Sequence, residues 1–141
     1  MEIAETKVVL DTNVVVSAAV SSDGNPAKIF EMIINSEIKN YTSSQIIEEI
    51  KEVMGRERIK EALGDKDARF FIDTFEKLSE KIIPIAAYDE IKEDSDDNKF
   101  LDCAMAAGAE YIISGDGHLL KLKEFGGIKI VSPADFIGLI K

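Results

Sequence analysis

The alternation of short apolar runs with longer amphipathic stretches constrains this chain more than any other feature. Runs rich in β-branched or apolar residues lie at 7–10, 81–86, 111–114 and 129–131. Their length and their bounding turn residues read as strands buried on both faces. Helical patterns cover 26–35 after the turn-like SSDGN, then 44–55, 57–63, 67–79 and 97–107, with a last one from 134 after Ser132-Pro133. Pro26 and Ser44 sit where helix starts favour such residues. Strands alternating with helices predict a parallel sheet with helices on both faces, joined by right-handed crossovers. At 141 residues, without internal repeat, low-complexity tract or linker, the expectation is one domain spanning 1–141.

Composition excludes several function classes. No apolar run approaches the length of about 18 residues needed to cross a bilayer, so no membrane association is expected. The start MEIAETKVVLD lacks the basic segment, long apolar region and cleavage site of a secretory signal, which makes the cytoplasm the default compartment. Cys103 is the one cysteine and His118 the one histidine. That rules out an intrachain disulfide, a multi-thiolate or His-rich zinc site and a conventional His-based triad. The net charge of −10 argues against a broad basic surface gripping nucleic acid. It leaves a nuclease open, because acids that converge on metal ions reverse the local charge.

Ligands of a parallel sheet gather outside the carboxyl ends of its strands. Asp11 ends the first strand, and Asp116 follows the strand YIIS by one glycine, so both acids reach that edge. Each alone also fits a turn residue or helix cap. In the helix 44–55, at about 100° per residue, Ile46, Ile47, Ile50, Val53 and Met54 form one apolar stripe. Glu49 borders the stripe, while Glu48 and Glu52 lie farther round toward solvent. In the helix 97–107, Asp97 falls near the middle of the face carrying Phe100, Leu101 and Ala104, with Asp102 opposite. A helix cap is the competing reading for Asp96 or Asp97. Four acids in one crevice would repel, so either their pKa values rise or cations bind among them. An all-oxygen site of this kind suits Mg²⁺ or Mn²⁺ rather than zinc or copper.

At these residues the sequence resembles the PIN-domain family. The motifs that carry the resemblance are VVLDTNVVVSA at 8–18, SSQIIEEIKEVM at 43–54, DSDDNKFLDCAMAAGAEYIISGD at 94–116, and the trailing HLLKL with IKIVSP. The resemblance implies a Rossmann-like three-layer α/β/α sandwich with a central parallel sheet of about five strands. It places the family's acids at Asp11, Glu49, Asp97 and Asp116, as catalytic and metal-holding residues, and implies Mg²⁺- or Mn²⁺-dependent hydrolysis of RNA phosphodiesters. Asn13 and Ser114 match polar positions that help order the family's pocket. Within the family the chain is most similar to the VapC-like toxins of toxin-antitoxin pairs, which implies a homodimer and a small antitoxin partner at the acidic groove. Gly117-His118 departs from the family's more commonly charged residues there, so Asp94 or Asp96 stands as an alternative further ligand.

Lys99, and the more distant Arg56, Arg58, Lys121 and Lys123, are candidates to contact RNA phosphates, against the simpler reading of solvated surface charges. Phosphoryl transfer through an aspartyl intermediate is disfavoured because Asn13 stands where a general acid would be wanted. A receiver domain lacks its paired acids. A non-catalytic binding module and a DNA-directed nuclease are the surviving alternatives, the second because the chemistry does not need a 2′-OH.

Overall fold

The computed structural model describes residues 6–84 and 97–140. Among these the order is β1 (Thr6–Leu10), α1 (Thr12–Val20), α2 (Asn25–Ile34), β2 (Ile38–Thr42), α3 (Ser44–Met54), α4 (Glu57–Leu63), α5 (Asp65–Leu78) and β3 (Glu80–Lys81). It continues with α6 (Asn98–Ala107), β4 (Tyr111–Ile113), α7 (Gly117–Leu122), β5 (Glu124–Phe125), β6 (Ile128–Val131) and α8 (Pro133–Ile140). The strands form one sheet in the order β3-β2-β1-β4-β6-β5. Five of them are mutually parallel, and the two-residue β5 adds an antiparallel edge to β6. This is the α/β/α sandwich expected from the sequence, with one short strand more.

The strongest apolar run lies in the middle of the sheet. Val8, Val9 and Leu10 of β1 are fully buried, with Val9 in register with Tyr41 of β2 and with Ile112 of β4. A central parallel strand has neighbours on both edges and helices over its faces, so every side chain meets protein. Each such residue contributes about 1.5–3 kcal/mol of burial. Phe75, Phe100 and Phe136 fill the remaining space of the core. Cys103 on α6 is sealed within it, and burial, helped by the Asp102 charge, pushes its thiol up to about 12.

The structure departs from the sequence pattern in four places. β2 has the sequence IKNYT, in which exposed Lys39 and buried Asn40 break the apolar run. Asn40 donates from Nδ2 to Ser79 Oγ at 2.8 Å, while its buried Oδ1 has no hydrogen-bond partner among the described residues. α1 is a helix despite three consecutive valines, because Asp11 caps it and Val14, Val15 and Val16 are all buried. Tertiary burial overrides the modest preference of β-branched residues for strands. The third strand is confined to Glu80–Lys81. Among the described residues the Ile82 N–H extends its ladder, donating to Thr42 O at 2.8 Å, and Ile83 is exposed. Positions 85 and 86 lie outside the described residues. The fourth departure is α7, a six-residue helix anchored by buried Leu119.

The strand order fixes where a ligand fits. From β1 the chain moves by way of α1 and α2 to β2 on one side, whereas β4 lies on the other side of β1. The carboxyl ends of β1 and β4 therefore flank the point where the winding direction reverses, the usual binding crevice of an open α/β sheet. The Asp11 N–H ties the two ends together, donating to Ile113 O at 3.1 Å. Among the described residues no helix is long and apolar enough to cross a membrane.

Candidate active site

Asp11 follows β1 directly and is 2% exposed. Its Oδ1 accepts from the Val14 N–H at 2.8 Å, which caps α1, and its Oδ2 accepts from the Ser114 hydroxyl. Ser114, fully buried after β4, also accepts from the Asp116 N–H at 2.9 Å. Asp116 in turn caps α7, its Oδ1 accepting from the His118 N–H at 2.7 Å. The capping and pocket readings of these two acids are thus both satisfied. One side-chain oxygen orders the helix start while the carboxylate stays at the crevice.

Asp97 occupies the N-cap position of α6 but makes no capping hydrogen bond through its side chain. A carboxylate oxygen of Asp97 instead lies within 4.8 Å of one of Asp116, and its Oδ2 is buried without a hydrogen-bond partner among the described residues. Two carboxyls this close favour a shared proton or an enclosed cation. The effect on Asp116 has opposing parts. Burial raises its pKa, but the hydrogen bond from Asp97, the His118 and Leu119 amides and the His118 charge outweigh burial and hold it below the usual carboxylate range. Asp11 goes the other way, because burial pushes it up and the Asp116 charge adds to that, against hydrogen bonds from Ser114, Val14 and Gly115.

Glu49 reaches the crevice from α3, half-buried, while its neighbours Glu48 and Glu52 are exposed. Its Oε1 accepts from the Thr12 hydroxyl, and its Oε2 lies 3.4 Å from Lys99 Nζ. One open cavity of about 170 Å³ takes in Asp11, Glu49, Asp97 and Asp116. Thr12, Asn13 and Arg56 add polar wall, and Val53 and Phe100 add apolar wall. Asn13 is exposed at the mouth.

The sequence reading of the cations needs correction at two positions. Lys99 is not a solvated charge, because its side chain is 14% exposed and paired with Glu49. Arg56, treated as distant, lines the cavity; it is also 3.2 Å from Glu52. Arg58, Lys121 and Lys123 are exposed and absent from the cavity wall. His118 is brought to the site instead: ligand atoms of Asp97, Asp116 and His118 lie within 4.8 Å of one another. Thr12 was visible in the motif Asp11-Thr12-Asn13, but its link to Glu49 depends on how α3 packs and has no sequence signal. Asp94 and Asp96, the alternative further ligands, lie outside the described residues.

Comparison with known proteins agrees with this architecture. Residues 7–118 match the family model of the PIN domain. An uncharacterised protein of Methanocaldococcus jannaschii is 34% identical over 146 aligned residues, covering 97% of this chain and 93% of its own length. Among solved structures, a protein of Pyrobaculum aerophilum superposes with a TM-score of 0.64 at 14% identity, over 96% of this chain and 90% of its own. VapBC2 of Rickettsia felis, solved bound to a DNA fragment from their promoter, gives 0.60 at 16% identity, over 89% of this chain and 97% of its own. The sarcin-ricin-loop-cleaving toxin VapC20 of Mycobacterium tuberculosis gives 0.52 at 13%, over 86% and 98%. At these identities the superpositions speak to the fold alone. The family match is more telling, since it opens in β1, closes at His118 and encloses all four crevice acids; the chain belongs to the PIN-domain family.

Proposed function

We propose that this protein is a divalent-metal-dependent endoribonuclease in which Asp11, Glu49, Asp97 and Asp116 form the catalytic pocket. The observation that carries the reading is the convergence of Asp97 and Asp116 in the cavity, their ligand oxygens within 4.8 Å of each other. The donor set fits a hard cation. Carboxylate oxygens with at most one imidazole suit Mg²⁺ or Mn²⁺, and the described residues offer no thiolate or second histidine there. Asp97 and Asp116 would hold the ion, with Asp11 and Glu49 lining the same cavity. Bound there, it supplies Lewis acidity toward a phosphodiester.

The chain's own residues prepare the pocket. Ser114 holds the Asp11 carboxylate and the Asp116 backbone in fixed relation. Thr12 orients Glu49. Arg56, exposed at the rim, is the cation placed to meet an incoming phosphate. The reading extends to a cytoplasmic, single-domain toxin over 1–141 that forms a homodimer and is restrained by a cognate antitoxin. The fold shared with VapBC2 of Rickettsia felis and with VapC20, a toxin that cleaves the sarcin-ricin loop, supports the toxin and antitoxin parts of this reading.

The test is cleavage of end-labelled single-stranded RNA with Mn²⁺, with Mg²⁺ and with EDTA, beside Asp97→Asn and Asp116→Asn. Metal-dependent cleavage by wild type alone is the expected result. Equal cleavage by wild type and folded variants would expose a contaminant and put the non-catalytic module ahead. Matched single-stranded DNA separates the ribonuclease from a DNA-directed enzyme.

A further inference from the structure

The crevice acids differ in what meets their charge. Asp97 and Asp116 face each other with His118 within ligand distance. Glu49, in the wall of the same cavity as these acids but outside their cluster, meets a cation that the chain itself provides: Lys99 Nζ lies 3.4 Å from Oε2, with side chains 14% and 30% exposed. The Thr12 hydroxyl takes the other oxygen, so both oxygens of Glu49 are engaged. Lys99 stands two positions after Asp97 on α6, which packs against α3, and its ammonium is 5.3 Å from the centroid of the Phe100 ring. An ammonium so enclosed is retained where a carboxylate compensates it, and removal of either partner leaves an uncompensated charge.

In two-metal phosphodiester enzymes the ions sit about 3.5–4 Å apart and share the surrounding carboxylates. A second divalent ion at Glu49 would here have to displace, or lie against, a like-charged ammonium already in contact with the carboxylate. Resting on the nuclease reading above, we propose that Lys99 is a built-in cation standing in for a second metal ion. The pocket then takes one divalent ion, on the Asp97–Asp116 side. Lys99 acts as a positioning residue that fixes Glu49 and balances its charge without exchanging with solvent.

The test counts ions. Mn²⁺ binding to the full chain is followed by the electron paramagnetic resonance of free Mn²⁺ and by calorimetry, for wild type, Lys99→Met and Lys99→Arg. One ion per chain is expected for wild type and Lys99→Arg, and two for Lys99→Met, because the neutral side chain frees Glu49 for a second. Wild type binding two ions, or Lys99→Met remaining at one while folded, would overturn the proposal. Should Lys99→Met fail to melt cooperatively, Glu49→Gln decides. It is expected to keep its single ion, and loss of that ion would place the metal on Glu49 instead. Two ions in a wild type that cleaves RNA would sink this inference alone, whereas no bound ion and no cleavage would sink the nuclease reading with it.

Discussion

The two walls of the acidic pocket handle crowded negative charge in different ways. On the wall built by β4, α6 and α7, ligand oxygens of Asp97 and Asp116 lie within 4.8 Å of each other with His118 beside them, an arrangement that a shared proton or an incoming cation relieves. On the α3 wall, Glu49 is compensated from within by Lys99 and Thr12. One wall is open to an outside ion and the other is complete without one. Acids alike in composition are thus made unlike by the elements that carry them, which is how a fold gives identical side chains separate tasks.

The sharpest way to break this comparison is at the open wall. Asp116→Asn should lower RNA cleavage on the order of 10³-fold, about 4 kcal/mol of transition-state stabilisation, while melting stays cooperative; a loss below tenfold in a cleavage assay would mean that this wall does not hold the ion. Next comes the strut beneath it. Ser114→Ala removes the donor to Asp11 and the acceptor for the Asp116 N–H, and a loss of about 10–100-fold in Mn²⁺ affinity by calorimetry is expected of a group that orients ligands. Unchanged affinity would reduce Ser114 to packing.

A smaller effect concerns stability. The carboxyl of Asp11 has its pKa raised by burial, so its charged form is disfavoured in the fold and metal-free stability falls as pH rises from the unfolded value of 3.8 through the higher folded one. Asp116 has the opposite sign: its lowered pKa stabilises above 3.8, and that contribution fades as pH falls through the folded value. Asp11→Asn should therefore raise the metal-free Tm at neutral pH by a few degrees and flatten its decline between mildly acidic and neutral pH. Thermal melts across that range check it, and a lower neutral Tm would show the carboxylate to be net stabilising. The least effect belongs to the rim. Arg56→Ala should raise KM a few-fold with kcat held, and reduce the salt dependence of single-stranded RNA binding by about 0.7 in log–log slope; an altered kcat would move Arg56 from the rim to the chemistry.

How legible these features are in the sequence follows from how local their causes are. β1, β4 and β6 show as apolar runs because they lie inside the sheet, and Asp11 and Asp116 are placed simply by where those runs stop. Glu49 is singled out by its edge position on an apolar stripe, and Asp97 by its helix start. β2 escapes the same rule because Asn40 is buried in mid-strand, its Nδ2 met by Ser79, a residue distant in sequence. α1 escapes because its valines are helical only through the cap and the surrounding burial. The Lys99–Glu49 pair, the Thr12 contact and the approach of His118 to Asp97 depend on how α3, α6 and α7 come together. No spacing along one helix encodes those distances.

The sealed thiol of Cys103 gives this protein a built-in clock. With its pKa pushed up to about 12 and no solvent contact, the one cysteine of the chain cannot react with an alkylating reagent while the core is closed. Every labelling event therefore records an opening of the core around α6. Since Asp97 stands at the N-cap position of α6, the rate at which the thiol is trapped should slow when an ion is bound. Ligand occupancy at one end of a helix becomes readable as chemical silence at its middle, with no substrate required.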